Sequence, residues 1–221
     1  MAKSLIRAVA WDIDGTLIDS EPLHEGVLHE VCGELGDDLS DLPADAFKGV
    51  HLHDVWARIA PRFPGVDPAG WAKAIVDRYV ARVAAAPPLA GAVKVMRALG
   101  KAGIRQVCVS NSGRRIVDAN LTAIGVTDLI EFSISLDDVA RGKPDPLPYA
   151  EAARRLGLPA AQVAAVEDSA VGARSALDAW LRVIGIAPLG GTVPGAAVTV
   201  ATLDDLPALI LPQHAVSTRT A

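Results

Sequence analysis

"VAWDIDGTLIDSEP", residues 9–22, sets an apolar run against three aspartates within eight positions, Asp12, Asp14 and Asp19. The run belongs to "LIRAVAW" (5–11), whose near-continuous apolar character reads as a strand covered on both faces. Carboxylates directly behind a core strand need partners, because charge beside a core is costly unless paired or bound to metal. A calcium loop counted from Asp12 would need glycine at its sixth place and an acid at its twelfth; these are Leu17 and Leu23. A turn pair or a glycosyltransferase-type DxD stays open at this point.

Outward from that stretch, "IRQVCVS" (104–110), "QVAAVE" (162–167) and "LRVIGI" (181–186) read as further buried strands. Helical patterns fall between them at 90–103, 113–125 and 145–157, the last with Asp145 as cap, prolines in its first turn and Gly157 as its stop. Alternating strand and helix implies an α/β fold with crossover connections. Residues 21–86 break the rhythm: "EPLHEGVLHEVCGELG", "LHDVWARIAPRF" and "DPAGWAKAIVDRYVARVAAA" are all helical. The expectation is an α/β protein with a Rossmann-like, mostly parallel sheet core over 1–19 and 88–221, and an inserted helical cap domain over 20–87. Its two linkers fall near Asp19-Ser20 and Pro87-Pro88, as a hinged lid requires. The tail at 212–221 lacks pattern and reads as frayed.

Composition narrows the function. The chain has 221 residues and a net charge of −5, and no Lys/Arg run exceeds two, so no basic stripe offers itself to nucleic acid. No segment approaches the roughly 18 apolar residues of a membrane span, and the N-terminal apolar stretch is too short for a signal peptide. Cys32 and Cys108 have neither zinc nor CxxC spacing and read as buried reduced thiols. A reducing cytoplasm, without an obligate protein partner, is the expected setting.

The chemistry is carried by the residues just past each strand. The strand ends present Asp12-x-Asp14, Ser110-Asn111 and Glu167-Asp168, and in an open parallel sheet ligands bind at those carboxyl ends. Asp12, Asp14, Glu167 and Asp168 in one crevice repel one another unless a cation joins them. Oxygen-only ligands select a hard ion, Mg²⁺. Lys143, in "RGKPDP" (141–146), supplies a further positive charge. A carboxylate beside Mg²⁺ can attack phosphorus, and a second carboxyl can protonate the leaving oxygen. Asp12 is therefore the candidate nucleophile and Asp14 the candidate acid/base, with Gly15 and Thr16 offering backbone N–H groups to the phosphoryl oxygens. Plainer readings stand beside these. Asp19 serves as a helix cap or hinge; Glu167-Asp168 can cap a helix starting near Ser169; Trp56 and Trp71 pack; His24, His51 and His53 share no metal spacing.

In order, "DIDGTLIDS", "VSNS", "GKPDP" and "VEDSAVG" resemble the four motifs of the haloacid dehalogenase superfamily, and the helical block resembles the cap of its β-phosphoglucomutase and phosphoglycolate phosphatase branch. The resemblance implies that Asp12 forms a phosphoaspartate, Asp14 protonates the leaving group, Ser110 (with Asn111 beside it) and Lys143 bind the phosphoryl group, and Glu167-Asp168 complete the Mg²⁺ site. The presence of Asp14 argues against the dehalogenase members, which lack this acid. "FKGVHLHD" (47–54) is similar to the mutase's substrate loop in Lys48-Gly49, and His24 aligns with a cap-side histidine. The mutase arginine, however, aligns with Leu52, which cannot clamp a second phosphate; Arg58, Arg62 and Arg114 are the cations left to compensate. The expectation is a Mg²⁺-dependent phosphatase acting on a small phosphorylated metabolite, a sugar phosphate or phosphoglycolate. A phosphomutase is the alternative, and a catalytically silent binding protein the third reading.

Overall fold

The computed structural model describes residues 5–43, 46–47 and 50–212. Six strands, β1 (Ala8–Trp11), β2 (Arg105–Val109), β3 (Ser133–Ile134), β4 (Val163–Glu167), β5 (Arg182–Ile186) and β6 (Val198–Val200), pair throughout in parallel in the order β3-β2-β1-β4-β5-β6. The chain runs from β1 outward to β3 and then returns to the other side of β1. β1 and β4 therefore flank the crevice where the strand order reverses.

Both faces of the sheet are covered, which is why its strands read as apolar without alternation. Val9, Trp11, Cys108 and Val166 face one hydrophobic cluster; Ala8, Ala10, Val107, Val109 and Ala165 face the other. Helices α4 (Ala92–Lys101), α5 (Arg114–Ala123), α6 (Leu147–Leu156) and α7 (Ala170–Asp178) supply the layers. Asp145 accepts the Leu147 N–H at 2.9 Å, and Gly157 closes α6 in the left-handed region at φ 64°. Ser169 caps α7, its hydroxyl accepting the Gly172 N–H at 3.1 Å. Residue patterning alone raises no expectation of β3, β6 or α8 (Leu206–Ile210). Both cysteines are buried.

Between β1 and β2 the chain forms α1 (Glu21–Glu34), α2 (Leu52–Ile59) and α3 (Pro68–Arg82). They enclose a cluster of their own, including Val27, Val31, Cys32, Val55, Ile59, Phe63, Trp71 and Ile75. The Trp56 and Trp71 rings meet at a tilt, with centroids 4.8 Å apart, as packing residues do. The two crossings to this inserted block lie side by side: Asp19 donates its N–H to Pro87 O at 3.0 Å and Leu89 to Leu17 O at 2.9 Å. Lys48, Gly49 and the tail beyond residue 212 lie outside the described residues. Among the described residues no helix is long and apolar enough to cross a membrane.

Candidate active site

Asp12 lies immediately past β1 and donates its backbone N–H to Val166 O of the neighbouring strand, 3.0 Å away. Its carboxylate is nearly buried, and Oδ1 accepts from Lys143 Nζ at 2.7 Å. The same ammonium donates to Glu167 Oε1 at 2.6 Å and to Val109 O at 2.9 Å. Tyr149 adds a hydroxyl to Glu167 Oε1 at 2.6 Å, and its ring lies under Lys143 Nζ. Burial pulls the lysine down, but Asp12 and Glu167 more than reverse this and hold the ammonium above its ordinary range. For Asp12 the balance goes the other way. Burial and then Glu167 push its carboxyl well above the usual range, with Lys143 opposing and Asp168 adding to the rise.

Asn111 sets the lysine. Its carboxamide accepts the Lys143 N–H at 2.7 Å and donates to Lys143 O at 3.0 Å, and the close approach leaves no room for a Cβ at Gly142, 2.7 Å from the Asn111 oxygen. The Asn111 side chain, expected on the phosphoryl group, is therefore engaged in holding the loop that delivers Lys143.

The turn behind Asp12 departs from expectation in a second way. Gly15 donates its N–H to Ile18 O at 2.9 Å and Thr16 to Ile13 O at 3.2 Å, so both groups close the turn instead of facing a ligand. Neither residue lines the cavity above the site. Gly15 is required for space: at φ 79° its missing Cβ would stand 2.3 Å from Asp168 Oδ2. The turn thus lets the Asp168 carboxylate come in beside β1. The Thr16 hydroxyl is buried without a hydrogen-bond partner.

Oxygens of Asp12, Glu167 and Asp168 lie within 4.8 Å of one another, the only such acidic group among the described residues. Three carboxylates, two of them buried, gather here, and the Lys143 ammonium binds two of them. That all-oxygen donor set fits a hard divalent cation. Asp14, expected also as a metal ligand, sends its carboxylate elsewhere. Its Oδ1 accepts from Ser20 Oγ at 2.7 Å and Asn120 Nδ2 at 2.9 Å, with His24 Nε2 at 3.4 Å; its Oδ2 accepts from Ser112 Oγ at 3.0 Å and Ser110 Oγ at 3.3 Å. Burial works against the Asp14 anion, yet the contacts from His24, Ser20 and Ser112 prevail and hold it well below the usual carboxylate range.

A cavity of about 1200 Å³ opens between this strand edge and the inserted block. Asp12, Asp14, Ser110, Lys143 and Asp168 line its floor, and Leu28, Leu52, Trp56 and Trp71 its far wall. His24 sits in the first turn of α1, at Asp14, while His51 caps α2 and His53 turns to Asp54. Of the cations considered as substitutes for a clamping arginine, Arg62 binds Asp37 and Asp41 within the block, and Arg114 binds Asp118, Asp138 and Ser133.

The sequence matches the haloacid dehalogenase-like hydrolase family over residues 6–179. The chain belongs to that family. A plasmid-encoded phosphoglycolate phosphatase of Cupriavidus necator is 32% identical, with 93% of each chain covered. Hexitol phosphatase B of Escherichia coli is 29% identical over 81% of this hydrolase and 82% of its own length. The crystal structure of CbbY from Rhodobacter sphaeroides in complex with phosphate superposes with a TM-score of 0.82 at 26% identity, covering 91% of this hydrolase and 96% of that chain. The family match spans the whole acidic cluster and the lysine. Ser20, Ser112, Asn120, Tyr79 and Tyr149 are site residues that sequence reasoning misses. Asn120 alone carries a signal, as an amide on the buried stripe formed by Ile116, Val117 and Leu121.

Proposed function

We propose that this hydrolase is a Mg²⁺-dependent phosphatase that cleaves a small phosphate monoester through an aspartyl-phosphate. The observation that carries the reading is the Asp12 carboxylate, held by Lys143 Nζ and grouped with Glu167 and Asp168 on the floor of a cavity. An Asp12 oxygen forms the new bond to phosphorus as the ester P–O bond breaks, and Asp14 gives a proton to the departing oxygen. Water then attacks the phosphorus and passes its proton to Asp14, which frees phosphate and restores Asp12. Lys143 keeps Asp12 oriented and faces the phosphoryl charge, and Ser110 adds a hydroxyl beside it. Asp12, Glu167 and Asp168 would hold Mg²⁺, which when bound supplies positive charge to the phosphoryl oxygens.

The helical block acts as a lid on its paired linkers, and residues 20–87 form the cap. Water is the acceptor in this reading, because Leu52 on the cavity wall offers no charge to a second phosphate. The names of the relatives support a sugar phosphate, a hexitol phosphate or phosphoglycolate as substrate. Such a metabolite and the cation suffice as partners, and a cytoplasmic setting suits both.

The test is phosphate release from p-nitrophenyl phosphate with and without Mg²⁺, then a panel of those esters and acid-quench trapping of phosphoprotein. The expected result is Mg²⁺-dependent turnover with label on Asp12. Turnover without any label on Asp12 would exclude the covalent route.

A further inference from the structure

α3 belongs to two cores at once. Its Trp71 and Ile75 pack inside the inserted block, whereas Tyr79, one turn on, and Val83, just past its end, pack in the cluster against the sheet. Tyr79 is fully buried, and its hydroxyl donates to Asn120 Oδ1 at 2.7 Å. Asn120 on α5, fully buried too, donates in turn to Asp14 Oδ1 at 2.9 Å. The amide is fixed from both ends, since only its oxygen can accept from the phenol and only its nitrogen can donate to the carboxylate. The same tyrosine ring stacks on the His24 imidazole, with centroids 4.2 Å apart and planes at 21°. One side chain of α3 therefore seats two of the three groups on Asp14 Oδ1.

Asn120 occupies a place where the helix stripe is otherwise apolar. An amide there is unfavourable unless both its ends are bonded, and leucine would pack without that demand. Neither Tyr79 nor Asn120 lines the cavity. Any effect they have on the reaction must pass through the groups they touch, Asp14 and, for the Tyr79 ring, His24, whose stack Tyr79→Phe leaves in place.

We propose that Tyr79 and Asn120 are positioning residues for the Asp14 carboxylate, fixing the point from which it meets the leaving oxygen. The inference rests on the reading of Asp14 as the acid/base of a phosphatase. It ties that group to α3, the helix that packs in both cores, and so to the inserted block.

The test uses a series of substituted phenyl phosphates, from p-nitrophenyl to p-methoxyphenyl, assayed with Mg²⁺. Tyr79→Phe keeps the ring and its stack and removes only the hydroxyl. For this variant kcat/KM is expected to change by less than about twofold on p-nitrophenyl phosphate and to fall about tenfold on the p-methoxyphenyl ester, whose leaving oxygen depends on a proton. Asn120→Leu should tilt the series the same way, and it decides the matter if Tyr79→Phe melts below the assay temperature. Combined with Asp14→Asn, Tyr79→Phe should add less than about twofold, because the group it positions is gone. An equal loss along the series, or full additivity with Asp14→Asn, would overturn the proposal and leave the pair a packing role only. If Asp14→Asn itself shows no tilt, the acid/base reading fails first, and the two failures are told apart.

Discussion

Asp12 and Asp14 stand two residues apart behind one strand, yet the fold surrounds them with opposite company. Around Asp12 are two more carboxylates and one ammonium, and burial with Glu167 pushes its carboxyl up. Around Asp14 are hydroxyls, an amide and an imidazole, which hold its carboxyl down in spite of burial. The first environment gathers carboxylate oxygens and suits a cation. The second is saturated with donors, and a carboxylate so held must exchange some of them before it can carry a proton to a leaving group. Groups whose surroundings drive them apart in this way mark acid/base sites, but here the order is the reverse of the catalytic roles. The proposed nucleophile needs the cation to be an anion, and the proposed acid needs its network to give way.

The sharpest break in that comparison is Asp12→Asn. An amide neither attacks phosphorus nor carries charge to a cation, so turnover should fall by at least about 10³-fold on every ester. The fold should persist, since the change relieves one of three crowded carboxylates. Circular dichroism and the melting midpoint check the second point. Activity within about tenfold of wild type would remove Asp12 from the chemistry.

Lys143→Met comes next and touches one side of the comparison only. It leaves Asp12 and Glu167 facing each other without their ammonium, the situation in which breaking a buried pair costs about 3–5 kcal/mol. Turnover should drop about 10²-fold or more, alike for aryl and alkyl esters, because each transition state carries the same phosphoryl charge. Urea unfolding measures the first effect and paired kcat/KM values the second. A loss confined to alkyl esters would mean that Lys143 serves the leaving group.

Asp14→Asn probes the other side. Its loss should reach about 10²-fold on alkyl phosphates and stay below about tenfold on p-nitrophenyl phosphate, whose leaving oxygen hardly needs a proton. Equal losses on both would erase the division between the two aspartates.

The Asp12 side was far more legible in the sequence than the Asp14 side. Carboxylates ending buried strands are conspicuous, and sheet topology alone carries Asp12 and Glu167-Asp168 to one edge. Lys143 was legible through its motif, although its bond to Asp12 spans 131 positions. Beside Ser110, the donors on Asp14 come from the start of α1, the loop after β2 and α5, and are ordinary residues, Ser20, His24, Ser112 and Asn120, whose meaning as its partners exists only once α1 and α5 are packed. The reading of Gly15 and Thr16 failed for a local reason, since their N–H groups close the turn on Ile18 and Ile13. β3 and β6, two and three residues long, are too short to show a period, and their neighbours supply what their own sequence does not.

The smallest expected effect concerns the cation itself and can be read without any substrate. A ligand that binds only the folded chain stabilises it by RT ln(1 + [L]/Kd), about 2.7 kcal/mol at a hundred times Kd. For a chain of this size that amounts to a rise of roughly 5–10 °C in melting midpoint. Mg²⁺ should therefore raise the wild-type midpoint, and Asp168→Asn should remove most of the rise by taking one oxygen anion from the group of three. Asp14→Asn should leave the rise in place, because the Asp14 carboxylate is engaged with Ser20, Ser112 and Asn120 outside that group. The two substitutions change the net charge equally, so a general electrostatic response to Mg²⁺ would shift both variants alike. Only a cation seated among Asp12, Glu167 and Asp168 separates them, and equal midpoint shifts would overturn that placement.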